Sequence, residues 1–214
     1  MRVAFFILGM RSMRVLKPLV LASKSPRRIT LLKQIGLDFV VAPTDQPEKF
    51  DLNLTPDENA RVLALEKARD VAKKFTDAVI VAADTIVVLE GVLFGKPIDE
   101  EDAHRMLRLL SGKTHTVVTG IALVDCSSAK YVVVSEETLV TFRELPDEEI
   151  VEYVGGGSPL DKAGAYGIQD DYGAVFVSRI EGCFYNVVGF PLSRFYTELG
   201  RFQSQLIKES GKYV

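Results

Sequence analysis

The run Ala78-Val79-Ile80-Val81-Ala82-Ala83 is apolar without a break and stops at Asp84-Thr85. A strand with one wet face alternates apolar and polar residues, whereas a short unbroken apolar run reads as a strand buried on both faces. Such a strand requires cover above and below, so this chain must build a sheet with helices packed against it. An aspartate at the carboxyl end of a buried, parallel-type strand lies where open α/β sheets bind ligands. Asp84 is therefore both a marker of the fold and the sharpest candidate for chemistry. Its plainer role would be to cap the following turn together with Thr85.

A second strand, Leu19 to Ala22, runs into Ser23-Lys24-Ser25-Pro26-Arg27-Arg28. Ser25 has the chemistry of a helix N-cap, and Pro26 suits the first helical position, where its missing N–H was unpartnered anyway. Ile29, Leu32 and Ile35 recur at helical spacing and Gly36 closes the helix. Arg27 and Arg28 then fall in the first turn, the end of a helix that already carries partial positive charge. Free N–H groups, the hydroxyls of Ser23 and Ser25 and two guanidinium groups converge there, which suits a phosphate. The alternative is a pair of solvated arginines at the start of a surface helix.

The remaining pattern predicts a short strand over Phe39 to Ala42 and a polar stretch from Pro43 to Asn53 that contains Glu48. Thr55-Pro56-Asp57-Glu58 is a capping box that opens a helix running to about Lys74, with Glu66 and Lys67 near its middle. Ile86 to Phe94 reads as a hairpin turning at Glu90-Gly91. Asp99 caps a helix stopped by Gly112, and Val117 to Val124 and Tyr131 to Phe142 are strands. A short helix follows over Asp147 to Val154. Gly155 to Pro159 is the most flexible-looking stretch, Ala174 to Ile180 a strand, and Gly182 with Asn186-Val187-Val188-Gly189 a glycine-punctuated loop. A last helix begins near Pro191, with Phe195, Leu199 and Phe202 on one face. Helix–strand alternation first and strand pairs later predict a mixed α/β architecture with a cleft, and not a simple doubly wound sheet.

The 214 residues carry 26 Lys and Arg against 29 Asp and Glu. That balance gives no blanket of positive potential, so direct nucleic-acid binding is not expected and basic clusters are local sites. Two cysteines, Cys126 and Cys183, form no framework and fit a reduced, cytoplasmic setting. Two histidines, His104 and His115, lack zinc-site spacing, so any metal would be a hard ion such as Mg²⁺ or Mn²⁺. Residues 1–18 read as an N-terminal extension, in which Met13 could be the true start; residues 19–210 read as one catalytic domain of two lobes and 211–214 as a tail. No stretch approaches a membrane-spanning length.

Lys96, in Gly95-Lys96-Pro97, and Lys67, inside a helix, would each be ordinary surface charges if taken alone. In Asp161-Lys162-Ala163-Gly164-Ala165-Tyr166-Gly167-Ile168-Gln169, small residues permit close backbone approach to a ligand. Tyr166 could pack on a ring and the Gln169 amide could read the edge of a base. The plainer reading is a tight turn between two strands.

In their order, the following motifs resemble the Maf family of septum-formation-like proteins: Ala22 to Arg28, Glu66-Lys67-Ala68, Ala83-Asp84-Thr85-Ile86-Val87 and Gly95-Lys96-Pro97. Ser111-Gly112, Asp161 to Gln169 and Asn186 to Pro191 complete the set. The resemblance implies an inosine-triphosphatase-like α/β fold, with an elongated twisted sheet and a deep cleft between two lobes, often as a homodimer. It implies a nucleoside triphosphate pyrophosphatase that cuts between the α and β phosphates with the help of a divalent cation. The housecleaning role would keep such nucleotides, modified pyrimidines included, out of nucleic acids. Arg28, Thr85 and Gln169 match the branch that prefers dTTP and UTP. The branch acting on 7-methyl-GTP has Ser-Asp-Gln at the strand end and a tryptophan in the arginine region. Phosphate contacts are expected from Ser23, Ser25, Arg27 and Arg28, with Lys67 and Lys96 as further cations in the catalytic set. Asp84 and Glu48 are the candidates for metal ligand and for orienting or deprotonating water; the family's general base matches Asp84, and a carboxylate fits either role. Asp161, Lys162 and Tyr166 are candidate substrate contacts. The rival readings are a 7-methyl-GTP-type pyrophosphatase and a non-catalytic nucleotide-binding regulator of cell division.

Overall fold

A computed structural model of the chain describes residues 15–157, 159–169 and 172–209. The expectations for most of the extension with Met13, for Ser158 within the Gly155 to Pro159 stretch, and for the tail lie outside the described residues. Among the described residues, the seven strands β1 (Leu19–Leu21), β2 (Phe39–Val41), β3 (Val79–Leu89), β4 (Val92–Phe94), β5 (Thr114–Asp125), β6 (Tyr131–Phe142) and β7 (Val177–Glu181) form one mixed sheet in the order β2-β1-β3-β5-β6-β7, and β4 pairs with the far end of β3. Parallel pairing joins β2 to β1 and β1 to β3. β3 runs antiparallel to β5, β5 to β6 and β6 to β7.

Helix α2 (Pro56–Ala72) covers one face along nearly its whole length. The predicted capping box is present, with the Thr55 hydroxyl accepting from the Glu58 N–H and Glu58 reaching back to the Thr55 N–H. Its small residues Ala60, Ala64 and Ala68 are fully buried against β3 and β5. The other face is shared. Helices α1 (Pro26–Gln34) and α6 (Leu192–Glu209) pack over Val79, Val81 and Ala83 of β3 and Ile121 and Leu123 of β5. Helices α3 (Glu100–Leu110) and α4 (Asp147–Gly155) pack over Val87 and Leu89 of β3 and Val117 of β5. Two lobes thus share one pair of long central strands. No helix among the described residues is long and apolar enough to cross a membrane.

Several expectations change. β3 does not stop at Asp84 but continues to Leu89, so Asp84 and Thr85 are mid-strand; antiparallel pairing with β5 carries it past the end of its parallel partner. The hairpin turns as expected at Glu90-Gly91, both at positive φ, and returns as β4 (Val92–Phe94). Residues Tyr172–Phe176 form a 3-10 turn, and the last strand starts only at Val177. The Asn186 segment is not a loop but helix α5 (Phe184–Val188), ended by Gly189 at φ +112°. Asp161 to Gln169 does not join two strands; it follows α4 as two 3-10 turns. Residues 15–18, counted with the extension, are tied to the body: Lys17 Nζ lies 2.6 Å from Asp125 and 3.0 Å from Asp77.

Gly120 sits on β5 directly across from Asp84 and faces α2. A Cβ there would stand 2.1 Å from the Ala60 carbonyl oxygen and 2.7 Å from the Arg61 nitrogen, both rigid helix backbone. The glycine lets α2 lie flush on the sheet at the level where Lys67 must reach Asp84. Gly120→Ala should destabilise the fold by about 3 kcal/mol through overpacking. A denaturant melt showing a loss below about 1 kcal/mol would contradict this account.

Candidate active site

The site grows from an unfilled edge. β1 stays beside β3 only to Val81, and β4 joins it only at Val87. Between them β3 has β5 on one side and, among the described residues, no strand on the other. A cleft of about 420 Å³ follows this bare edge and is lined from both faces of the sheet, because successive residues of a strand point to opposite faces. Asp84 points towards α2; Thr85 points away from it.

On the Asp84 face charges alternate. The Lys67 ammonium donates to Asp84 Oδ1 and, at 2.6 Å, to Glu48 Oε1. Lys96 Nζ donates to both Glu48 oxygens, at 3.0 and 3.1 Å. Lys67 and Asp84 are buried, 8% and 4% exposed, so neither is a solvated surface charge. Lys67 lies on the inward stripe of α2 with Ala60, Leu63, Ala64 and Val71, a helical spacing visible in the sequence. Burial pushes the Asp84 carboxyl above its ordinary value, against the pull of Lys67 and Arg28. Burial also acts upward on Glu48, but Lys67 and Lys96 outweigh it and bring its pKa to about 2.

On the Thr85 face, Arg28 is locked. Its Nη1 donates to the Ala83 carbonyl at 2.8 Å and to Ser23 Oγ at 3.4 Å, its Nε to the Gly189 carbonyl at 3.0 Å, and its Nη2 to Thr85 Oγ1 at 3.1 Å. The guanidinium lies along the bare edge of the strand and donates to these four protein acceptors. Arg27 instead reaches across the cleft to Asp161, Nη1 to Oδ2 at 2.8 Å, and Lys162 pairs with the same carboxylate at 3.0 Å. Ser25 stands at the N-cap position without a side-chain cap; its own N–H donates to Ser23 Oγ at 3.2 Å. The α1 N-terminus still lines the cleft.

The far wall is Ala163, Tyr166, Gly167 and Gln169. Gly164 brings this segment in: its φ is +69°, a Cβ would stand 2.9 Å from Val87 Cγ2, and its N–H donates to the Gly95 carbonyl at 3.0 Å. Lys96 is thereby carried to the cleft. Tyr166 presents its ring while its hydroxyl bonds His115 Nε2 at 2.8 Å. Burial lowers the His115 pKa to about 4, so that histidine is neutral near pH 7. Sequence reasoning missed His115 in this role, along with Thr44, Gln46, Val87 and Val117 in the lining. It also missed Thr119, across from Thr85 on β5, whose alternation with Val117 was the only available signal.

The Glu48 pairs carry a pH signature. A carboxylate with a depressed folded pKa stabilises the fold above its unfolded pKa, and that stabilisation is lost as pH falls through the folded value. For Glu48 the window runs from the ordinary 4.5 down to about 2. Asp84, raised by burial, contributes in the opposite sense: its term is present below its unfolded pKa and lost as pH rises. The wild-type melting temperature should fall across the Glu48 window, and Glu48→Gln should flatten that part of the profile. An unaltered profile in the variant would remove these ion pairs from the energetics of the fold.

Residues 18–202 match the family model described as Maf-like protein. The chain is 45% identical over 197 residues to a protein of Caldicellulosiruptor saccharolyticus named dTTP/UTP pyrophosphatase, covering 90% of this chain and 98% of that one. It is 49% identical over 179 residues to a protein of that name from Carboxydothermus hydrogenoformans, covering 84% and 95%. A third, from Acetivibrio thermocellus, is 48% identical over 198 residues, covering 89% and 98%. The Staphylococcus aureus Ham1 protein overlaps 59% of this chain and 72% of its own, with a TM-score of 0.44 and 18% identity, a likeness too partial to bear on the site. With the matched span running from the first strand into the last helix, the chain belongs to the Maf family.

Proposed function

We propose that this protein is a nucleoside triphosphate pyrophosphatase that hydrolyses dTTP and UTP to the monophosphate and pyrophosphate. The observation that carries the reading is the bare β3 edge with a buried carboxylate–lysine pair on one face and a half-buried hydroxyl on the other. Such an edge seats phosphates and base on opposite sides of one strand. The names of the relatives supply the substrate class.

Water attacks the α-phosphorus, the bond from that phosphorus to the α–β bridging oxygen breaks, and the electron pair leaves with pyrophosphate. Asp84 takes the proton of the attacking water; burial raises its pKa, which suits a general base, while Lys67 pulls the other way. Lys67 and Lys96 turn from Glu48 to the phosphates, and Arg27 with the α1 N-terminus adds positive charge at the leaving group. Asp161 competes with the phosphates for Arg27 and positions it meanwhile. Arg28 holds Thr85 and the Gly189 turn in place, and its contribution to substrate choice runs through Thr85.

No group of three or more His, Cys, Asp or Glu suited to a metal occurs among the described residues. Two carboxylates, Asp84 and Glu48, fit an ion such as Mg²⁺ or Mn²⁺ that completes its shell with phosphates and water. When bound, that ion would neutralise phosphate charge and polarise the phosphoryl oxygens. The homodimer and the cytoplasmic setting implied by the family resemblance belong to the same proposal.

Pyrophosphate release with Mg²⁺ or Mn²⁺ should be fastest for dTTP and UTP among dTTP, UTP, CTP, 7-methyl-GTP, ATP and GTP. Faster turnover of 7-methyl-GTP would overturn the substrate assignment, and none with any nucleotide would favour the regulatory reading. Asp84→Asn should lower kcat by about 10²–10⁴-fold with the melt nearly unchanged, since it keeps volume and removes the proton acceptor. Wild-type rates in that variant would take Asp84 out of the mechanism.

A further inference from the structure

The hydroxyl of Thr85 has its proton already committed. Arg28 Nη2 donates to Thr85 Oγ1 at 3.1 Å. Thr85 Oγ1 and Thr119 Oγ1 are 3.0 Å apart, and Thr119 Oγ1 donates to the Asn186 carbonyl at 3.3 Å. A hydroxyl has one proton, so with Thr119 donating to Asn186, the bond between the threonines must run from Thr85 to Thr119. Both acceptor carbonyls are already engaged once, Gly189 by Arg28 Nε at 3.0 Å and Asn186 by the Gly189 N–H at 2.9 Å, and each keeps a second lone pair; the shorter approach, 3.3 Å from Thr119 to Asn186 against 3.5 Å from Thr85 to Gly189, favours Thr119 as the donor to Asn186. Thr119 and Asn186 are fully buried, and the Asn186 amide is itself fixed by bonds to the Val117 carbonyl and Thr138 Oγ1, each at 2.9 Å. With that donor assignment the chain runs Arg28 → Thr85 → Thr119 → Asn186 inside the protein. One lone pair of Thr85 takes Arg28, its proton goes to Thr119, and one lone pair is left for the cleft.

We infer that Thr119 is a positioning residue for substrate choice: it holds the Thr85 hydroxyl as an acceptor only, which takes the N3–H of a thymine or uracil base. This rests on the proposed dTTP and UTP activity. Thymine and uracil carry an N3–H donor between two carbonyls; cytosine carries a bare N3 acceptor beside an amine. A lone pair fixed opposite N3 bonds the first two and repels the third. The contact must be at N3, because the same lone pair placed at position 4 would favour the cytosine amine. The surroundings suit a planar ring: Val87, Val117, Val187, the Tyr166 ring and Gln169 all line the cleft. The Arg28 guanidinium on this face is engaged by protein acceptors, which separates base reading from the phosphate chemistry around Asp84.

The test compares kcat/KM for UTP, CTP and N3-methyl-UTP in the wild type, Thr119→Val and Thr119→Ser. Valine keeps the shape but cannot accept the Thr85 proton, so that hydroxyl can turn and donate to cytosine N3. The UTP-to-CTP ratio should fall by about tenfold in Thr119→Val, the size of one net hydrogen bond, with a gain on CTP that a merely loosened fold would not produce. Thr119→Ser should restore the ratio, and the wild type should turn over N3-methyl-UTP at least about tenfold less well than UTP. An unchanged ratio in a folded Thr119→Val, or equal turnover of UTP and its N3-methyl form, overturns the inference while leaving the pyrophosphatase reading intact. If Thr119→Val does not fold, the N3-methyl comparison alone decides. A wild type inert to UTP and dTTP overturns both.

Discussion

The bare stretch of β3 between the end of β1 and the start of β4 is the constraint from which the rest of the molecule follows. β3 and β5 run through both lobes, and on the face away from α2 they feed two separate apolar cores. Val79, Val81 and Ala83 belong to one core and Val87 and Leu89 to the other; on β5 the division falls between Val117 and Ile121. The residues at the seam are Thr85 and Thr119, paired directly across the strands. On the opposite face Asp84 stands between Ala82 and Ile86, each packed under a different part of α2. Polar groups placed in such company are costly unless they are bonded. Each of them is bonded, and Arg28 supplies the hydrogen bond that a strand neighbour would have given Ala83.

The charges on the Asp84 face are poor devices for stability. A buried ion pair gains by attraction roughly what it loses in desolvation, and well-packed apolar residues often serve the fold as well. Their alternation, Lys96–Glu48–Lys67–Asp84, makes better sense as a set of exchangeable partners. Glu48 keeps two ammonium groups in place, and a triphosphate offers those groups stronger anions. The lysines are thereby preorganised near where phosphate charge must be held, and no large rearrangement is needed to deliver them.

Much of this was legible in the sequence because local rules and tertiary packing agree. The capping box at Thr55, the Glu90-Gly91 hairpin and the stripe of Phe195, Leu199 and Phe202 are local signals, and the structure obeys them. Asp84 stands out for a reason only half correct: the apolar run reads as a whole strand, whereas antiparallel pairing with β5 extends it to Leu89. Arg28 shows the opposite failure. Two arginines in a first turn look equivalent by charge, and only the fold reveals that one meets four protein acceptors while the other spans the cleft. Thr119 was silent because a threonine inside a strand carries no signal until its cross-strand partner is known.

That pairing also explains how one strand serves chemistry and recognition without mixing them. The period of a strand is two, so neighbours in sequence are separated by the thickness of the sheet, and a slip of one residue would exchange the faces of Asp84 and Thr85. The register against β5 is what prevents the slip. Asp84 faces Gly120, where no side chain could stand beneath α2, and Thr85 faces Thr119, whose hydroxyl lies 3.0 Å from its own. A shifted register would put Thr119 under the helix and leave the carboxylate without Lys67. The two residues of β5 opposite Asp84 and Thr85 therefore fix which face of β3 carries the carboxylate and which one the hydroxyl.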